Sequence, residues 1–300
     1  MGEKTAPRRE NAFFRRLAHW GALSGPRGLV RFGPAPIGAA FGLTLPTLRR
    51  QIVQNLRRIH GPRSAWREQL EAVDTLANYA ACFTEAIASG RADVTPRVTV
   101  RGEERLRSAL AAGGGVVLVT AHIGPWELTA QLLTRELTTD VIVVMEREAN
   151  AEARELQDHY RSQRGLRVLH IGEHPTDALP LIAHLRKGGV AALQLDRVPP
   201  SGRVLTVPLF GEPFAVPEGP FRLAGLSGAQ LLPVFARRLG FFEYELEISE
   251  PILLGRRPRP EELQAGAQQA VSAMQAFLAQ CPTQWFHFTP PPGPGARDTL

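Results

Sequence analysis

Cysteine is nearly absent from this 300-residue chain: only Cys82 and Cys281 occur, far apart and outside any CxxC pair. That argues against a disulfide framework and against a cysteine zinc site. Lysine is equally scarce. All but Lys4 and Lys187 of the 35 basic residues are arginine, and the formal net charge is +6. Codon bias in a GC-rich genome accounts for that choice of cation, and so does a surface built to bind phosphate, anionic lipid or an acidic carrier protein. Composition alone leaves both open. The chain also lacks HExxH, GxGxxG, GxxxxGK[ST] and GxSxG, so zincin, dinucleotide-binding, P-loop and hydrolase-elbow chemistry lose their main signals. A nucleic-acid partner, a metal and a cofactor are not expected.

Long hydrophobic runs are missing too. The longest charge-free N-terminal stretch, Phe32 to Leu48, holds three prolines and three glycines. A spanning helix needs about 20 apolar residues, so this is a poor candidate. No secretory pattern precedes it, and the chain is expected to face the cytosol. Residues 8–20 place Phe13, Leu17 and Trp20 at helical spacing among four arginines. This suits either a helix lying in a membrane interface or a terminal helix packed on the domain.

What is present is a hydrophobic pattern of two kinds. Residues 47–90 read as helices, with Val73, Leu76, Tyr79, Phe83 and Ile87 on one stripe, suited to a core or to a hydrocarbon groove. From residue 95 strands and helices alternate. Strands are expected at 98–100, 116–120, 140–145, 167–171 and 190–196. Helices are expected at 103–112, 149–163, 176–188, near 218–228 and at 260–280. RVLTVPLF, LLPVFARR and FFEYELEIS follow the last of the buried strands, the final one alternating as a half-solvated strand does. The pattern predicts a layered α/β/α domain with a mostly parallel central sheet. The expected organisation is a membrane-associating helical segment over 1–48, a catalytic domain over 49–290 and a disordered tail over 291–300.

The segment GGGVVLVTAHIGPWELTAQLL, residues 113–133, carries the chemistry. A buried strand ends at Thr120, His122 follows in the loop, and Glu127 comes five residues later as a helix begins. Functional groups in open α/β sheets gather at the carboxyl ends of strands. Gly124 and Pro125 can turn the chain so that Glu127 meets the imidazole. A carboxylate on one ring nitrogen fixes the tautomer and stabilises the cation formed when the other nitrogen removes a proton. This is serine-hydrolase logic without the serine, so the nucleophile is external, and a hydroxyl attacking an acyl group fits.

HIGPWE resembles the H-x4-[DE] motif of the lysophospholipid acyltransferase superfamily. More closely, the chain resembles the bacterial lipid A late acyltransferases and the related phosphatidylinositol mannoside acyltransferases. QNLRRIHGP at 54–62, the strand ending in Gln194, Asp196 and Arg197, the run 207–238 and PTQWFHF at 282–288 match in order. The resemblance spans residues 50–288. It implies transfer of a fatty acyl chain from acyl carrier protein or acyl-CoA to a lipid hydroxyl, with no acyl-enzyme. His122 would be the base and Glu127 its partner, on the cytoplasmic face of the inner membrane and peripheral to it. The usual N-terminal anchor is poor here. Arg161, Arg164 and Arg197 suit phosphate recognition, with Asp196 orienting arginines. Arg164 also suits an oxyanion. Glu218 in VPEGP resembles an acceptor-binding element but lacks its following Thr-Arg. Acceptors outside lipid A remain open: a lysophospholipid, another glycolipid or a specialised metabolite. So does a non-catalytic lipid-binding role.

Overall fold

The computed structural model describes residues 12–129, 131, 141–146, 155, 158, 161, 162, 166–171, 175–199 and 202–288. Among the described residues, five helices come first: α1 Ala12–Ser24, α2 Arg27–Phe32, α3 Pro34–Thr44, α4 Pro46–His60 and α5 Ala65–Ala88. Proline stands in the first turn of α3 and of α4, where its missing N–H costs no helical bond. Gly38 lets α3 lie close along α5, because a Cβ there would come within 2.3 Å of the Leu76 carbonyl oxygen. His19 of α1 is buried edge-on to Phe83 of α5, with ring centroids 6.5 Å apart. The first helix therefore packs on the domain, while its Trp20 stays 66% exposed.

Among the described residues the sheet has seven strands in the order β1-β9-β8-β2-β5-β3-β4. They are β1 Arg97–Arg101, β2 Val116–Thr120, β3 Val141–Glu146, β4 Arg167–Ile171, β5 Val190–Gln194, β8 Gln230–Gly240 and β9 Glu243–Ile248. All neighbours run parallel except β8 and β9, which form an antiparallel hairpin through the tight turn at Phe242. Strand side chains alternate between faces. On β2, Val116 and Leu118 pack with Leu106 and Ala109 of α6 (Glu103–Ala111). Val117 and Val119 join the opposite core, with α7 (Leu179–Arg186), α8 (Gly219–Ser227) and α9 (Pro260–Leu278). Helices thus cover both faces, as the buried runs predicted. Each such fully buried Val or Leu contributes about 1.5–3 kcal/mol.

One element differs from the sequence reading. EPFAVP forms a strand, β7 (Glu212–Pro217), which pairs with β6 (Val204–Leu209) as a separate antiparallel hairpin. The turn Phe210–Gly211 makes it possible, both residues having positive φ. The expected helix over 149–163 falls largely outside the described residues, although 155, 158, 161 and 162 are helical. The expected tail 291–300 lies wholly outside them. No helix among the described residues is long and apolar enough to cross a membrane.

Candidate active site

The site follows from strand register. β2 and β5 are parallel neighbours, and their last paired residues are Thr120 and Gln194. Leu195 N–H continues the ladder to the Thr120 carbonyl at 2.7 Å. Two residues beyond the last pair come His122 on one strand and Asp196 on the other, so they emerge side by side. Nδ1 of His122 lies 2.8 Å from Oδ1 of Asp196, and the His122 backbone N–H donates to Oδ2 at 3.0 Å. Trp285 Nε1–H donates to the same Oδ2 at 3.1 Å.

The Asp196 side chain is fully buried. Burial pushes its carboxyl upward, but the His122 ring, that ring's hydrogen bond and nearby His287 more than offset it. The carboxyl is held well below the usual carboxylate range and stays ionised. His287 stacks on Trp285 with centroids 5.2 Å apart, and its Nδ1 lies 3.9 Å from Asp196 Oδ2. Burial lowers the His287 pKa, and Arg197 and His122 add to this, against the pull of Asp196.

The loop after β2 is clamped from the C-terminal segment. Phe286 N–H donates to the His122 carbonyl at 2.7 Å, and Gly124 N–H to the Gln284 carbonyl at 2.8 Å. Gly124 has φ +52°, and a Cβ there would meet the Ala236 carbonyl oxygen at 2.5 Å. Only glycine fits that turn without strain. Asn55, in the NLR segment of α4, holds the next link by donating Nδ2 to the His287 carbonyl at 2.5 Å. Its neighbour Arg57 pairs with buried Glu68 through Nε at 2.6 Å and Nη2 at 2.7 Å. Two of the segments that drew attention in the sequence therefore brace the loop that carries His122.

Glu127 holds a different place from the expected one. Its carboxylate accepts from Nε of Arg161 at 3.0 Å, and the Nδ1 position expected for Glu127 is held by Asp196. The reason is the sheet. Adjacent parallel strands deliver Asp196 to the imidazole, whereas Glu127 is the second residue of the helix that starts at Trp126 and meets buried Arg161 instead. Arg161 also approaches Asp158 at 3.8 Å. Asp196 was expected among arginines; its hydrogen bonds go to His122 and Trp285. Glu218 is buried at the start of α8 and pairs with Arg222 one turn on. Arg197 is exposed and Arg164 lies outside the described residues.

His122, Arg161, Arg197 and Glu218 all line one cleft of about 530 Å³. Its walls include Tyr79, Trp126, Leu193, Phe286 and Phe288, so apolar surface surrounds a few polar groups. Tyr79 thus brings the helical stripe to the cleft, while Leu76 and Ile87 of that stripe are core. Trp126, half-buried, stands edge-on to the His122 ring at 5.3 Å. Sequence reasoning missed the Asp196–His122 pairing and the roles of Trp285, His287 and Asn55. The equal lengths of VVLVT and VAALQ, each followed two residues later by a polar group, were the available signal for the pairing.

A histidine held by a buried carboxylate, at the carboxyl ends of parallel strands and beside an apolar cleft, defines the candidate active site of an α/β protein. The chain belongs to the bacterial lipid A biosynthesis acyltransferase family, whose profile matches residues 6–290. It is 34% identical over 137 residues to a phosphatidylinositol mannoside acyltransferase of Mycobacterium tuberculosis (strain CDC 1551 / Oshkosh), covering 45% of this chain and 42% of that protein. It is 30% identical over 192 residues to the protein of that name in Mycolicibacterium smegmatis (strain ATCC 700084 / mc(2)155), covering 61% of each. The chain therefore spans less than two thirds of the length of these relatives.

Proposed function

We propose that the protein transfers a fatty acyl chain from a thioester donor, acyl carrier protein or CoA, to a hydroxyl of a glycolipid, with His122 as general base and Asp196 as its partner. The observation that carries this reading is the 2.8 Å contact between His122 Nδ1 and the ionised, fully buried Asp196. With Nδ1 so engaged, Nε2 is the nitrogen left to take the proton of the acceptor hydroxyl. The freed oxygen attacks the thioester carbonyl, and the tetrahedral intermediate expels the thiolate. The imidazolium returns its proton to that sulfur, and Asp196 stabilises the cation meanwhile.

Direct transfer is supported by the cysteines. Cys281 is buried and pushed up to about 12, and burial drives Cys82 higher still, so neither supplies a thiolate nucleophile near neutral pH. Glu127 and Arg161 together, with Arg164, are read as substrate-orienting groups. Glu218 keeps a binding role only through Arg222.

The family's name favours a lipid A-type acceptor, and the relatives' names favour a phosphatidylinositol mannoside-type one. Both are glycolipids. A non-catalytic lipid-binding role has no observation in its favour.

The N-terminal portion, residues 1–48, is read as the membrane-facing part, on the cytoplasmic side of the plasma membrane. Trp20, Phe32, Ile37, Phe41 and Leu43 are largely exposed on α1–α3, and Trp66 on α5 is 67% exposed. Exposed large apolar side chains concentrated on these helices suit an interaction site. Arg27 and Arg31 lie on α2, and Arg49 and Arg50 on α4, which follows α3; all four suit anionic headgroups.

The experiment is incubation of labelled acyl-CoA and acyl carrier protein with a glycolipid extract, wild type beside His122→Ala, read by product mass. A new acyl ester made by wild type and lost in the variant supports the reading, and the mass identifies the acceptor. Equal product from both removes His122 as the base.

A further inference from the structure

The two carboxylate oxygens of Asp196 face different partners. Oδ1 meets the His122 ring at 2.8 Å. Oδ2 accepts the His122 backbone N–H at 3.0 Å and the Trp285 indole N–H at 3.1 Å. Among the described residues, Trp285 is thus the one hydrogen-bond donor to this carboxylate from outside the dyad. His287 Nδ1 comes only to 3.9 Å from the same oxygen, beyond hydrogen-bond reach. Trp285 does not line the cleft, so it can act on the reaction only through the groups it touches.

The indole is aimed as well as packed. Its ring stacks on His287 and leans on Phe214 of β7, with centroids 5.2 and 6.0 Å apart. Its backbone bridges Ile123, in the loop that carries His122. The turn before it is locked to β8: Gln284 Oε1 accepts the Arg238 N–H at 2.8 Å, and Gln284 Nε2 donates to the Arg238 carbonyl at 2.9 Å. A buried indole N–H needs a partner, and this one has Asp196. The carboxylate torsion of an aspartate is soft. With Oδ2 held from outside the dyad, Oδ1 stays against Nδ1 of His122. The same bond draws on negative charge that would otherwise act on His122. Charged and titratable groups also face the dyad: His287 from the C-terminal segment, Arg197 after β5, Arg58 of α4, and the Arg161–Glu127 pair in the cleft. Replacing the indole by a phenyl ring removes none of them.

We infer that Trp285 is a positioning residue for the dyad: its indole N–H pins Oδ2 of Asp196, so that Oδ1 stays on His122 and the carboxylate's charge is divided between the two. The inference rests on the general-base reading of His122 and adds the group that sets how strongly that base holds its proton.

The test is a double-mutant cycle of Trp285→Phe and Asp196→Asn on the full chain, read by kcat, KM and the pH profile of acyl transfer. In the wild-type background Trp285→Phe is expected to lower kcat roughly tenfold or more, the size of one hydrogen bond to a charged group, with KM nearly unchanged. The acid limb of kcat/KM is expected to move to higher pH, because the undivided carboxylate charge holds a proton on His122 more tightly. In the Asp196→Asn background the same substitution is expected to change kcat little, since the charged acceptor is already gone. Equal losses in both backgrounds, with the acid limb unmoved, make Trp285 a packing residue and overturn the inference. A second readout needs no turnover. In wild type the Trp285 indole N–H resonance is expected to move as His122 titrates, and to lose that movement in Asp196→Asn. A resonance indifferent to that titration overturns the inference even where Trp285→Phe does not fold. Movement in a protein that makes no acyl ester keeps the positioning role and removes the acyl-transfer reading. Acyl transfer with an indifferent indole does the reverse.

Discussion

Asp196 accepts both the side chain and the backbone N–H of His122, at 2.8 and 3.0 Å, two residues beyond the last register pair of β2 and β5. One carboxylate therefore fixes both the ring and the peptide from which it projects. The imidazole has little freedom left, because Phe286 N–H holds the carbonyl of the same residue. Rigid placement on strand ends is what a general base needs.

His287 gives the first prediction. Its pKa is lowered on folding, mainly by burial, so the unfolded chain binds more protons than the native one below the ordinary histidine range. Stability is then expected to fall as pH drops from about 6.5 towards the folded pKa of His287. His287→Gln removes that dependence. Urea midpoints at about pH 7 and pH 5 are expected to converge in the variant relative to wild type. Equal pH slopes in the two proteins contradict the assignment.

Glu68 gives the opposite case. The Arg57 side-chain bond, then the Arg63 N–H, bring its pKa from the ordinary range down to about 2. The stabilisation is complete above the unfolded carboxylate pKa and is lost as pH falls through about 4 towards 2. Glu68→Gln is expected to flatten acid unfolding over that window, followed by circular dichroism. It also loosens α4, and with it the Asn55 clamp on the His287 carbonyl.

At Gly124, alanine meets a positive φ and a carbonyl oxygen at 2.5 Å. Gly124→Ala is expected to cost more than about 1 kcal/mol, since Ala is strained where φ is positive. Because Gly124 N–H bonds Gln284, the loop should also shift, lowering kcat beyond what stability explains. Chemical denaturation and turnover measured on the same samples separate the two effects.

For the membrane-facing part, substituting Phe32 and Phe41 by Ser is cleaner than truncation, since removing α1 would unseat His19 from Phe83. Sedimentation with anionic liposomes is expected to drop in the double variant with the fold intact. Unchanged sedimentation removes this face as the docking surface.

Much of the fold was legible. VVLVT and the VIVVM of DVIVVM are continuous apolar runs that suit a doubly covered sheet, and the structure makes strands of both and of RVLHI. His122 at a strand end was legible for the same reason. Its partner was not, because pairing of β2 with β5 joins residues 74 positions apart and no local spacing reports it. Glu127, five residues away, was the nearer carboxylate in sequence. In space it belongs to Arg161. β7 escaped because prolines at both ends of EPFAVP disguise an edge strand, where a missing N–H is tolerated.

The most direct test of the dyad is the steady-state rate of acyl transfer by Asp196→Asn beside Glu127→Gln. Asn keeps the shape of the side chain but neither carries the charge nor holds the same tautomer. Asp196→Asn is expected to lower kcat by about 10³- to 10⁴-fold, by analogy with triad carboxylates. Glu127→Gln is expected to act mainly through KM. A near-normal kcat in Asp196→Asn, with turnover lost in Glu127→Gln, would make Glu127 the partner of the base and contradict the account.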